Sequence, residues 1–479
     1  MTFNSYEFLL FFPLVTLIYF LIPHRFRWIH LLLSSCIFYM VAMPSYIFLL
    51  LFLIIFNFGA GIAIERSKNR KKRLIFILSI CLNLGVLFLF KYFNFFTKNV
   101  HDLICIVGLG SISFPVLHLI LPLALSFQTL SSISYLAEIS RGQMAAEKHP
   151  GIYAASSLFF PKLINGPIER PQDILSQFRE LHVFNDENLL IGLRLMLWGL
   201  FKKVVIADRL ANYVNEVYAH PHSYLSVNLF LAAVFFSFQL YCDFSGYSDI
   251  AVGTARLMGF RLSRNFNLPF ASKTMADFWR KWHISLSSWY NNYLFKPIFA
   301  FGNRHRNRTV IFALFTTFLL SGLWHGANWT FIVYGSMHGL VLIYEYLTRN
   351  LRLRILNDRR SWITNIFSIS CVFLFSCFCW IFFRADSLTQ AGYFIRSIGS
   401  MNLTHFKPSD ILLPEMGYST ILISILFIVL TLILEHKLGP EIDKKWNSAF
   451  AEIAFCASIL TIIIIFGIFF SNIFIYSKF

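Results

Sequence analysis

Long apolar runs recur along the whole chain of 479 residues, and they restrict the possible folds more than any other feature. A membrane-spanning helix needs about 20 mostly apolar residues, and runs such as Tyr46–Ile64 approach that length. Only 14% of the residues are charged, against about 25% in a typical soluble domain. The sequence therefore predicts an all-α, polytopic integral membrane protein.

We expect about 11–13 transmembrane or re-entrant helices, because spans of roughly this length repeat from one end of the chain to the other. They are predicted to form a single domain over 1–479, with N-terminal helices (1–113), a core (114–350) and C-terminal helices (351–479). The predicted segments are Phe8–Ile22, Trp28–Met43, Tyr46–Ile64, Leu74–Phe90, Phe114–Leu136, Leu189–Ala207, Leu225–Tyr241, Val310–Leu323, Trp329–Leu347, Ile363–Phe383, Tyr418–Leu434 and Phe455–Ile475.

Basic residues dominate the charge, and the formal net charge is +17. They cluster in short loops between apolar runs, at Arg66–Arg73, 304–308 and 349–360. Loops of this kind stay on the cytoplasmic side of a membrane, where anionic lipid headgroups also attract them. The pattern predicts an N-terminus outside the cytoplasm and membrane lipids as partners. We expect no nucleic-acid binding.

A histidine interrupts the apolar hairpin predicted between the two later basic loops. His325 lies between the apolar runs Val310–Leu320 and Phe331–Leu347. The first run is short for a full span, so we expect the bend near His325 to lie within the membrane. Irregular backbone at that depth must line a cavity or pack against protein, and ionisable residues there mark pathways or reaction centres. His325 is therefore the first candidate for chemistry.

Two further histidines could share a chamber with His325. His283 lies in the polar and aromatic stretch Asp277–Ser287, and a second polar group beside a base is the usual requirement for deprotonating a hydroxyl. Histidine suits this role because its ordinary pKa is close to neutral. His338 follows His325 by 13 residues, about 3.6 helical turns, and is predicted on the same helix. A structural role is the alternative for each histidine, and it is favoured for His338.

Other polar residues are expected to be structural. Asp243 and Asp249 follow an apolar run, and salt bridges with Arg256 or Arg280 are favoured over cation binding or polarisation of a histidine. The segment Phe266–Leu294 is less apolar and is predicted to form short or interfacial helices. Eight cysteines lie mostly in apolar runs without metal-ligand spacing, so we expect no metal site and no bound cofactor.

Several short sequence motifs, taken in order, resemble those of the membrane-bound O-acyltransferase family, and in particular of its bacterial alginate O-acetyltransferase branch. The resemblance covers most of the chain. The motifs are Leu121–Leu123 with Ser134–Leu136, Phe159–Pro161 through Gly166–Ile168, Asp243–Asp249, Phe278–Ser287, Leu323–Trp329 and Trp380–Ala385.

This resemblance implies that His325 is the family's essential histidine and that His283 matches the polar position before it, which is His, Asn or Asp in different branches. It also implies an acyl donor on the cytoplasmic side and an acceptor on the far side, meeting in a central tunnel. Further candidates for substrate binding are Trp324, Asn328, His338 and Trp282.

The expected function is that of a bacterial inner-membrane O-acetyltransferase. Its donor would be a thioester, acetyl-CoA, and its acceptor an extracytoplasmic polysaccharide such as alginate, reached directly or through a periplasmic esterase-like partner. Peptidoglycan O-acetylation and D-alanyl transfer to teichoic acid remain open alternatives. From another class, a transporter could use Asp243, Asp249 and the histidines as a relay, although the sequence contains no inverted repeat.

Overall fold

Helices account for the regular structure in a computed structural model of the chain. It describes residues 1–109, 114–302, 306–352, 362–402, 404, 407–413, 417–439, 442–444, 446 and 448–469. Within these ranges no β-strand is present, so the predicted all-α fold is confirmed. The described residues form two compact units, 1–185 with 254–263, and 186–253 with 264–479. The predicted division into three segments stays a prediction.

The first unit begins with six helices of 14–20 residues and ends with three short ones. Only Ser67 and Lys68 separate its longest helices, α3 and α4, and the basic cluster Arg66–Arg73 spans this break and the first turn of α4. The helices are α1 (Tyr6–Leu21), α2 (His24–Met40), α3 (Ile47–Arg66), α4 (Asn69–Leu87), α5 (Phe93–Ile106), α6 (Leu125–Arg141), α7 (Pro150–Leu158), α8 (Phe160–Leu163) and α9 (Pro171–Gln177).

One predicted segment of this unit is wrong. Phe114–Leu136 was expected to be a single helix, but the chain is irregular from 114 to 124 and α6 begins only at Leu125. Pro115 and Pro122 lie in the irregular stretch, and proline removes a helical hydrogen bond and clashes with the preceding turn. Ala124 precedes the helix with a φ of 69°, a left-handed conformation that a continuous helix excludes.

The second unit contains the hairpin and the polar central region. Several long helices follow α11 (Asp208–Ala219). Most of those with more than 18 residues are apolar enough to cross a membrane. The helices are α10 (Asp186–Leu200), α11, α12 (Ser226–Leu257), α13 (Met275–Lys281), α14 (Ile284–Tyr290), α15 (Lys296–Phe301), α16 (Arg306–His325), α17 (Trp329–Leu347), α18 (Trp362–Arg384), α19 (Leu388–Gly399), α20 (Tyr418–Leu438) and α21 (Ala449–Phe466).

Six helical segments in the described residues are long and apolar enough to cross a membrane. They confirm a multi-pass membrane protein. The segments are Pro44–Arg66, Asn69–Ile106, Ser226–Leu257, Asn307–His325, Trp362–Arg384 and Tyr418–Leu438.

The central region 266–294 behaves as its composition predicts. Two seven-residue helices, α13 and α14, follow each other there instead of one crossing. Three π-helical segments interrupt the α-helical pattern in the described residues. Asn291–Phe295 lies at the end of this central region, whereas Phe88–Tyr92 and Phe201–Ala207 lie outside it. Such π-helical segments are rare in proteins overall. Those that do occur are found frequently at functional sites. Residues 304–305 and 353–360 of the two later basic loops, and 470–475 at the end of the predicted span Phe455–Ile475, lie outside the described residues.

Candidate active site

Helices α16 and α17 form the predicted hairpin, and small residues let their backbones approach closely. A Cβ built on Gly322 would overlap the carbonyl oxygen of Phe331, and one built on Gly335 would overlap that of Phe318. Close packing at small residues is typical of membrane helix pairs. Only 326–328 separate the two helices, so His325 is held at the end of α16 beside the bend.

The hairpin differs from its prediction in two respects. With 20 residues α16 spans about 30 Å, enough to cross a membrane, because the helix begins before the apolar run at Val310. His338 was expected on the same helix as His325, but it lies on α17. The reason is that the chain turns at Gly326 and restarts as a helix after Asn328, whose side chain accepts a hydrogen bond from the backbone N–H of Thr330 at 3.1 Å.

Three predicted histidines belong to one buried aromatic cluster. His283, His325 and His338 expose only 1%, 4% and 1% of their surfaces. The Trp324 ring centroid lies 5.0 Å from that of His325 and 6.3 Å from that of His283. Tyr334 connects the other pair, with its ring 5.9 Å from His325 and 4.7 Å from His338. The three histidines come from three separate elements: the turn before α14, the end of α16, and α17.

The backbone at His283 is unusual. This residue precedes α14 with φ 43° and ψ 56°, in the left-handed region that a β-carbon disfavours. Asn265 holds the turn, since its carbonyl oxygen accepts from Ile284 N–H at 2.9 Å and its side-chain oxygen accepts from the Ser285 hydroxyl at 2.6 Å. Strain of about 1–3 kcal/mol persists where surrounding contacts over-determine the conformation, commonly at functional sites.

The surroundings of His283 fix its charge. The Phe244 ring meets it edge-on at 4.6 Å, and the preceding residue Trp282 packs 4.9 Å from Trp380. Burial lowers the pKa of His283 to about 3, because an imidazolium would lose its hydration there. The ring is therefore neutral at physiological pH and carries one N–H donor.

His338 is tied to the wall of a cleft. The indole N–H of Trp279 donates to Nδ1 of His338 at 3.3 Å, which places the remaining imidazole proton on Nε2. Trp279 lines a cleft of about 390 Å³, so His338 sets the orientation of one cleft wall. The other walls include Arg280, Ile284, Ser287, Asn291, Phe295, Thr317, Phe318 and Ser321.

The cleft follows the face of α16 that ends in His325. Thr317 and Ser321 precede His325 by eight and four residues, a spacing that places all three side chains along one helix face. Ile284, the neighbour of His283, lines the same cleft. Sequence reasoning missed Thr317 and Ser321, although the spacing of polar residues at four-residue intervals before His325 was a usable signal.

Two residues predicted to bind substrate have structural contacts. Asn328 caps α17 and its amide also donates to the carbonyl oxygen of Asp386 at 3.0 Å. Trp282 stacks on Phe278 with ring centroids 5.5 Å apart. Their role in binding, like that of Trp324 and His338, stays a prediction.

A buried ionic network lies beside the histidine cluster on α12. The structural pairing predicted for Asp243 and Asp249 is present, and it includes Lys203 at 2.6 Å and Lys202 at 2.7 Å, two partners that the sequence did not suggest. Both lysines belong to the π-helical segment Phe201–Ala207. Lys203 also pairs with Asp208 at 2.8 Å. Asp243 directly precedes Phe244, so this network anchors the ring that contacts His283.

The fold and the site together define a multi-pass membrane protein with a buried histidine centre beside a cleft. A family model for the membrane-bound O-acyltransferase family matches residues 72–384, which include all three histidines. The chain belongs to this family and is an O-acyltransferase. Membership of this enzyme family replaces the alternative interpretation of the protein as a transporter.

Relatives with different acceptors resemble the chain. The probable alginate O-acetylase AlgI of Pseudomonas aeruginosa is 37% identical over 395 residues, covering 82% of this chain and 73% of the relative. The peptidoglycan O-acetyltransferase of Helicobacter pylori is 34% identical over 403 residues, covering 78% and 73%. The teichoic acid D-alanyltransferase of Bacillus subtilis is 30% identical over 276 residues, covering 55% and 69%. The family is thus established, while these names differ in acyl group and acceptor.

Proposed function

We propose that this protein transfers an acetyl group from acetyl-CoA on the cytoplasmic side to a hydroxyl of an extracytoplasmic polysaccharide such as alginate. Transfer occurs directly or through a periplasmic esterase-like partner, in a bacterial inner membrane. The observation that carries the proposal is the convergence of His325 and His283 on Trp324, beside a cleft along α16. The resemblance to alginate O-acetylases over most of the chain supports the acetyl group and the acceptor class.

His325 acts as the general base in this proposal. The acceptor hydroxyl attacks the thioester carbonyl carbon, a C–O bond forms, and the C–S bond breaks. The hydroxyl proton passes to His325 and then to the departing sulfur, so no external acid is required. Proton transfer by a positioned side chain contributes typically 10²–10⁴-fold to such reactions.

His283 stabilises the developing negative charge. Its ring is neutral, because burial lowers the pKa to about 3, and one nitrogen therefore remains a hydrogen-bond donor. A donor held in a dry site is effective because it needs no reorganisation when charge appears on the thioester oxygen. The left-handed backbone at φ 43° fixes the direction of this side chain.

The cleft is suited to the donor arm. Its volume of about 390 Å³ falls within the range of about 300–1,000 Å³ usual for small-molecule sites. Thr317 and Ser321 offer hydroxyls along a largely apolar wall, and Arg280 offers a cation for a phosphate. The chain's own residues would therefore hold an extended thioester with its acyl end towards His325.

The acceptor is tested directly with purified protein. Labelled acetyl-CoA is incubated with alginate, peptidoglycan or teichoic acid, with and without periplasmic extract, and label on each polymer is counted. We expect label on alginate. Label confined to peptidoglycan would assign the second relative's acceptor, and transfer only of D-alanine from a carrier thioester would replace the acetyl donor altogether.

A further inference from the structure

A groove of about 600 Å³ lies in the second unit, and it shares no lining residue with the cleft along α16. One side is the short 3₁₀ segment Pro221–Ser223, and the other is α19 with the loop that precedes it. The side chains that matter for its chemistry are His222, Asp386, Thr389, Tyr393 and Arg396.

The groove is physically connected to His325. Phe383 packs against the His325 imidazole with ring centroids 5.2 Å apart. Three residues further on, Asp386 lines the groove, and its carbonyl oxygen accepts from the Asn328 amide at 3.0 Å. Three extended residues span at most about 11 Å, so the near edge of the groove lies within a few sugar units of the imidazole.

The groove lies on the acceptor side of the predicted topology. Helices α16 and α18 both begin next to the basic loops, which positive-inside reasoning assigns to the cytoplasm. Their other ends, His325 and Arg384, therefore face the opposite side. The hydrogen bond between Asn328 and Asp386 agrees with this, since it joins the residues that follow the two ends.

Hydrogen bonds hold Gln390, which lines the groove, in place. Gln390 accepts from the backbone N–H of Asp386 at 2.7 Å and donates to the carbonyl oxygen of Tyr218 at 2.7 Å. Ser387 caps α19 by accepting from the backbone N–H of Gln390. A site on fixed elements loses little conformational entropy when it binds a ligand.

The exposed side chains fit an acidic glycan. The rings of Tyr393 and His222 pack 4.0 Å apart and provide an amphipathic aromatic surface for a sugar face. The Arg396 side chain is exposed. A guanidinium presents paired donors that match a carboxylate. Thr389 adds a hydroxyl at the groove wall, so hydrogen bonding, aromatic contact and charge are combined in one concave surface.

From these contacts the geometry points to a binding site for a carboxylate-bearing glycan in this groove, with Tyr393 against a sugar ring and Arg396 on a carboxylate. The site deepens the proposed function, on which it rests, by assigning acceptor recognition to α19.

The test measures glycan binding without turnover. Full-length protein with the His325→Ala substitution is titrated in detergent with a fluorescent oligouronate, and Tyr393→Ala and Arg396→Gln are added singly. We expect each to weaken binding about tenfold, as loss of an interface anchor does. The matched controls Tyr344→Ala and Arg308→Gln, exposed residues at the other end of the hairpin, should leave the affinity unchanged.

The outcomes separate this inference from the proposed function. Equal affinities for all variants, with acetyl transfer to the glycan intact, would overturn the groove assignment alone. Loss of a co-purifying periplasmic protein in the α19 variants, with glycan affinity unchanged, would assign the groove to a protein and also overturn it. Binding that depends on Tyr393 supports the groove even if His325→Ala proves active in transfer.

Discussion

At the scale of single residues, the histidines differ in how the fold holds them. His283 is held by its backbone, which has a left-handed φ of 43° between two short helices. His325, by contrast, is the last residue of the long helix α16, next to the bend at Gly326. Such a backbone position restricts the side chains that can replace His283. Asn and Asp tolerate the left-handed region better than other non-glycine residues.

His283 should therefore tolerate one substitution much better than another. His283→Asn keeps an N–H donor and the left-handed turn, so we expect it to retain more acetyl transfer than His283→Ala. The Ala variant loses the donor and should slow transfer about 10²–10³-fold, the usual cost of losing one such group. Rates with labelled acetyl-CoA at equal protein amounts decide between them. Equal rates for Asn and Ala would remove the donor role.

At the scale of elements, close helix packing and a buried ionic network position the site. The α16–α17 contact depends on Gly322 and Gly335, where no β-carbon fits. On α12, the lysines of the π-helical segment hold Asp243 and Asp249. The hairpin and the need for paired carboxylates could be predicted from the sequence. The lysine partners could not, because a π-bulge shifts which side chains share a helix face, and apolar periodicity does not reveal such a bulge.

Gly322→Ala should separate α16 from α17. The new β-carbon meets the carbonyl oxygen of Phe331, so relief requires movement of the backbone. Overpacking of this kind costs about 1–3 kcal/mol, and we expect a lower melting temperature together with lower acetyl transfer. Gly85→Ala is the matched control, because nothing lies within 4 Å of its β-carbon. Similar melting temperatures for both variants would contradict the tight crossing.

Lys203→Met should destabilise the protein strongly. The substitution leaves the buried carboxylates Asp243 and Asp208 without the cation they share. Breaking a buried pair by removing one partner costs about 3–5 kcal/mol. Lys281→Met, which breaks a partly exposed pair with Asp277, should cost less than about 1 kcal/mol. Thermal unfolding in detergent compares the two, and equal losses would show that the network contributes no more than a surface pair.

At the scale of the whole molecule, the sequence predicted the class of fold better than the boundaries of its helices. Apolar runs identify spans, but the prolines before Leu125 replace half of one predicted span by irregular chain. The pairing of His283 with His325 was expected from the motifs that resemble the family. The number of residues between the two histidines does not by itself predict it. The groove at α19 escaped notice, because Tyr393 and Arg396 form a site only when α19 packs beside His222.

The central claim is that His325 takes the proton from the acceptor hydroxyl. The most direct test compares acetyl transfer to polysaccharide by His325→Ala and by His436→Ala, which changes an exposed histidine on α20. Both purified proteins should be equally abundant and monodisperse. We expect His325→Ala to lose at least about 10²-fold in rate, as removal of a general base does, and His436→Ala to match the unmodified protein. Retained transfer by a well-folded His325→Ala protein would contradict the account.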